Sequence, residues 1–227
     1  MKKSIMFLKA GKSLIIIVLC LIAFDLSAQT ETKNPLPQFL FPKFSGTIIK
    51  MKAGNTYSAL VNYNIIDEEM IFEQKGNYMA LDKPELIDSV FIRNKTFVPV
   101  DKAFYEVVVN KPLTFFIQHK SKYAPVASAT AYGMTSQVNA PTNVKRIQGG
   151  NQVRSLDLPD NVTISPASVN WVRKNGTLEK FTTERQLLKI FSEKEAELKE
   201  FFKKEKLDLK ITEDVIKIAN YCNELYK

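Results

Sequence analysis

Histidine occurs once and cysteine twice in this chain of 227 residues. Any Ser–His–Asp or Cys–His site would therefore have to be built on His119. A zinc site of the usual Cys/His donor set is excluded, because the donors are too few. Cys20 lies inside an N-terminal apolar run, and Leu19 precedes it where a lipoprotein cysteine wants a small residue. Cys222 is then left alone, and one thiol makes no internal disulfide even in an oxidising compartment. Glycine is sparse at 8 residues, and no Gly-rich phosphate loop of either common spacing occurs. Acidic residues are missing altogether between Val107 and Leu156, where Lys111, Lys120, Lys122, Lys145, Arg146 and Arg154 stand unopposed. Long apolar runs are also missing. Leu14 to Phe24 is uncharged but much shorter than the ~20 residues that a spanning helix needs.

That short run has a meaning of its own. Lys2, Lys3, Lys9 and Lys12 precede or flank its start, and Ser27-Ala28-Gln29 closes it with small residues. This is the three-part pattern of a secretory signal peptide, cut near Ala28. Removing 28 of the 227 residues leaves 199, enough for one domain with its own core. The formal charge of +8 falls to +5, because four lysines and Asp25 leave with the signal. The expected place is the periplasm or the exterior, with no membrane span in the mature form. Export disfavours nucleic acid as a partner. The excess charge belongs to the middle of the chain and suits an anionic partner, such as an anionic glycan or an envelope protein.

Residues 29–43 carry Pro35, Pro37 and Pro42 and read as an extended leader. Residues 44–181 read as a β-rich domain. Short β-branched and aromatic runs recur between turns at Ala53-Gly54-Asn55, Lys75-Gly76-Asn77, Asn94-Lys95 and Asn110-Lys111-Pro112. Residues 123–152 break this rhythm and read as a surface excursion. A strand is expected at Val153 to Leu158. A hairpin is expected around Asn175-Gly176, the dipeptide suited to a turn with positive φ at both central positions. Residues 182–227 read as helical. Thr183 to Gln186 and Ser192 to Glu195 match the capping box, and Thr212 is placed as a third N-cap. The fold class is thus α+β: an antiparallel β-meander, sandwich or open barrel-like, of roughly ten strands, with three C-terminal helices.

Asn62-Tyr63-Asn64-Ile65-Ile66, Met70-Ile71-Phe72, the hairpin from Ser89 to Val98 and Phe116-Ile117-Gln118-His119-Lys120 resemble a group of secreted Bacteroidetes-type proteins. A helical tail like Glu184 to Phe191 and Tyr221-Cys222-Asn223 follows the β-rich part in that group. The resemblance implies export from a Gram-negative cell. The group has no assigned activity, so it lends this chain no catalytic residues.

The remaining candidates divide between chemistry and architecture. His119, beside Lys120 and Lys122, reads as a solvated residue at a strand end without a partner. Cys222 lies on the apolar stripe of the last helix and reads as a small buried hydrophobe. Asp67-Glu68-Glu69 is the densest acidic cluster and reads as a solvated turn, since strand neighbours point to opposite faces and calcium-loop spacing is absent. Trp171, with Tyr123, Tyr132 and Phe181, either lines a sugar platform or belongs to the core. Lys120, Lys122, Lys145 and Arg146 form the expected positive rim for an anionic partner. Asp88-Ser89-Val90 resembles a short O-glycosylation pattern of such exported proteins, which makes Ser89 a possible acceptor. No catalytic residue, cofactor site or metal site is assigned. The expectation is a non-catalytic binding or assembly protein of the periplasm or outer membrane. The alternative is a hydrolase of cell-surface glycans using two carboxylates about 5–10 Å apart.

Overall fold

In a computed structural model, residues 36–125 and 162–227 are described. They form strands β1 (Ser45–Met51), β2 (Thr56–Asn64), β3 (Glu69–Gln74), β4 (Asn77–Ala80), β5 (Ile87–Ile92), β6 (Lys95–Val100), β7 (Ala103–Val109), β8 (Thr114–Pro125), β9 (Val162–Lys174) and β10 (Thr177–Phe181). Three α-helices follow: α1 (Glu184–Ile190), α2 (Glu195–Glu205) and α3 (Thr212–Leu225). The strands make one antiparallel sheet in the order β10-β9-β8-β7-β6-β5-β1-β2-β3-β4. The fold is therefore α+β, as expected from the spacing of turns. One connection departs from a plain meander: after β4 the chain returns to pair β5 with β1.

Register assigns each side chain to a face. Asn170, Ile117, Glu106, Phe97, Val90 and Ile49 are successive cross-strand partners and share the inner face. Trp171, Phe116, Val107, Thr96, Phe91 and Ile48 form the adjacent row on the outer face. The sheet coils on its inner side. The Tyr63 hydroxyl on β2 donates to the carbonyl of His119 on β8 at 3.2 Å, although four strands lie between them in the sheet.

Two cores line this inner face. One gathers Val61, Tyr63, Met70, Val90, Ile92, Phe97 and Phe104 inside the coiled half. The other packs Leu113, Phe115, Val172 and Phe181 against Leu188, Phe191, Leu198 and Ile218 of the helical tail. The β8–β9 hairpin is the shared wall, since Val172 belongs to the second core while Ile164 packs against the first. A helix as short as α1 is not stable alone, so docking on the sheet is what holds the tail.

Several local expectations need correction. Over its described part the leader is fastened to the end of β2. Leu40 N–H donates to the Tyr63 carbonyl and Ile65 N–H to the Gln38 carbonyl, each at 2.9 Å. The Asn62 amide takes both backbone groups of Phe41, and Phe39 and Phe41 are buried. The Thr183 cap is present, its hydroxyl accepting from Gln186 N–H, but the Gln186 side chain reaches Thr182 rather than the cap. Ser192 opens a 3-10 turn, and neither α2 nor α3 has a side-chain cap. Thr212 is the first residue of α3, not its cap. The Asn175-Gly176 turn has φ of 51° and 80°, as that dipeptide demands. Residues 126–161, with the strand expected at Val153 to Leu158, lie outside the described residues.

Candidate functional site

Glu106 is a lone acid among Phe104, Tyr105 and Val107 on β7, and strand period turns it inward. It is 4% exposed. One carboxylate oxygen takes the Lys95 ammonium at 2.5 Å and the other meets His119 Nε2 at 2.7 Å. Burial alone would push this carboxyl up. The hydrogen bonds and charges of His119 and Lys95 outweigh it and hold the carboxyl below its ordinary value. The Tyr63 and Phe97 rings flank the imidazole, each centroid 6.2 Å away. Burial also drives the Tyr63 phenol upward, reinforced by the negative charge of Glu68, so it stays a hydrogen-bond donor.

The same seam continues across β9. Asn170 donates from Nδ2 to the Leu209 carbonyl between α2 and α3 at 2.9 Å. Asn170 Oδ1 and Ser121 Oγ are buried with no hydrogen-bond partner among the described residues. A polar layer thus lies on the inner face between two apolar cores. It fixes register, since a one-residue slip of β7 would turn Glu106 to the outer face and leave Lys95 and His119 without their acid.

A second network occupies the outer side of β8. Glu68, in the turn after β2 at φ 60°, accepts from Gln118 Nε2 at 2.5 Å and pairs with Lys120 at 3.0 Å. Trp171 Nε1 donates to Gln118 Oε1 at 3.0 Å, and the Trp171 and Tyr105 rings lie 5.7 Å apart. Burial, with the charges of Glu68 and Asp101, pushes the Tyr105 phenol up to about 12.

These networks revise the candidates. His119 is not a solvated strand end: β8 continues beyond it and Glu106 is its partner. The acidic turn is not simply solvated, because Glu68 is tied to β8. Trp171 and Phe181 are on opposite faces, Phe181 being in register with Asn170, so they share no platform. Tyr132 is outside the described residues. Cys222 is fully buried, and burial pushes its thiol up to about 12, which makes it inert as a nucleophile. Of the four rim cations, Lys120 is spent on Glu68 and Lys122 is exposed, while Lys145 and Arg146 lie outside the described residues. Ser89 lies inside β5, 6% exposed, with its hydroxyl donating to Asp88.

The outer face carries what sequence reading passed over. Ile48 is 50% exposed, Leu60 46% and Phe91 39%, on the three adjacent strands β1, β2 and β5. Gly46, opposite Leu60, leaves a shallow dent of about 380 Å³ beside Ile48 and Ser58. Alternation was the available signal, since Ile48 is out of phase with inward Thr47 and Ile49. No family model, no curated protein and no solved structure matches the chain.

Proposed function

We propose that the chain is an exported, non-catalytic binding or assembly protein of the periplasm or outer membrane, related to the secreted Bacteroidetes-type group it resembles. The observation that supports this is the uncovered outer face, where Ile48, Leu60 and Phe91 sit side by side beside the dent at Gly46. Large apolar side chains grouped on water-facing strands favour association, because their burial stabilises a complex at roughly 25 cal/mol per Å². Glu106, His119 and Lys95 are already spent on one another, which suits a structural layer. The partner is an envelope protein, and the contact is apolar at its centre.

The test is cell fractionation with site-specific crosslinking. The native protein is expected to begin at Gln29 and to crosslink to an envelope protein from a photoreactive group at position 91. The variant Ile48→Asp/Leu60→Asp is expected to lose at least tenfold of that crosslink while keeping its unfolding midpoint. Recovery in the cytosol with Met1 intact, or crosslinking indifferent to the double variant, overturns the reading.

A further inference from the structure

In the helical tail, a groove of about 780 Å³ runs between α1 and the start of α2. That volume lies within the range of small-ligand sites. Arg185 and Lys189 are one helical turn apart on α1 and line one wall, and neither forms an ion pair among the described residues. Lys199 and Glu195 line the other and pair with each other at 2.5 Å. Glu184 also opens into the groove, and the buried side chain of Leu188 contributes to its lining.

We propose that this groove binds an acidic oligosaccharide, with a sugar-borne carboxylate or other oxyanion held by Arg185 and Lys189. The chemistry of the lining selects that class. A guanidinium presents paired donors that match an oxyanion, and a neighbouring ammonium adds charge without geometric demand. A bare polyanion fits poorly, because Glu184 and Glu195 lie in the same groove and repel it. A sugar acid fits better: its hydroxyls donate to those carboxylates, which only accept, while its one acid group meets the cations. The site is separate from the outer face of β1, β2 and β5 and does not rest on its role.

Calorimetric titration of the mature chain tests this with three probes: a xylooligosaccharide carrying a single glucuronate, the same oligosaccharide without it, and inorganic phosphate. The expected result is binding of the glucuronate-bearing sugar alone, weakened by salt. Arg185→Gln/Lys189→Gln is expected to weaken it at least tenfold, and Arg185→Lys less than that. Both side chains are exposed, so an unchanged unfolding midpoint will show that the fold is intact. Binding of phosphate as tightly as the glucuronate-bearing sugar, equal binding of the neutral sugar, no binding at all, or indifference to the double variant each overturns the proposal. None of these outcomes bears on the crosslink from position 91, so the two readings fail separately.

Discussion

Glu106 concentrates the energetics at the scale of single residues. Its carboxyl is held below the ordinary value of 4.5 by His119 and Lys95, against the opposing effect of burial. A carboxyl lowered in the folded state gives stability that is present above the unfolded value and lost as pH falls through the folded one. Urea midpoints are therefore expected to drop as pH is lowered from about 4.5, and Glu106→Gln is expected to flatten that drop. Glu106→Ala is expected to cost about 3 kcal/mol, the lower end for breaking a buried pair, because Lys95 at 29% exposure keeps some water. Glu106 was legible in principle as one acid in an apolar strand. Its partners were not: Lys95 and His119 are 11 and 13 positions away, and only the pairing of β6, β7 and β8 brings them together. The role of His119 was misread because the end of β8 was set too early.

At the scale of elements, side-chain amides do the work of missing backbone partners. Asn223 on α3 accepts from Leu113 N–H at 2.7 Å and donates to the Leu113 carbonyl at 3.2 Å, fastening the last helix to the start of β8. Asn223→Ala leaves both buried groups bare, at about 1–3 kcal/mol for each. The expected readout is a lower urea midpoint and faster hydrogen exchange at Leu113. Lys174 on β9 donates to the Ile190 carbonyl at 2.9 Å and to Glu193 at 2.6 Å, so a cation meets the C-terminal end of α1. Element type was readable from periodicity and turn residues, as at Asn175-Gly176. Caps were less so: Ser192 and Thr212 sit where a cap pattern fits, yet tertiary packing starts α2 three residues after Ser192 and starts α3 on Thr212 itself.

At the largest scale, the described residues form a coiled sheet whose two cores share the β8–β9 pair, with residues 36–43 laid along β2. A chain beginning at Lys43 loses Phe39 and Phe41 from the interior. It is expected to be less stable than one beginning at Gln29 by about 1.5–3 kcal/mol for each ring, measured by urea unfolding. By itself the sequence determined the strand and helix content and the positions of most turns, because these depend on local backbone preference and short-range periodicity. Only the tertiary structure decided that β5 returns to β1, that Glu68 and Glu106 find their cations, and that Ile48, Leu60 and Phe91 stay uncovered. Those outcomes depend on which distant strands meet when the sheet coils, and no local pattern encodes that closure.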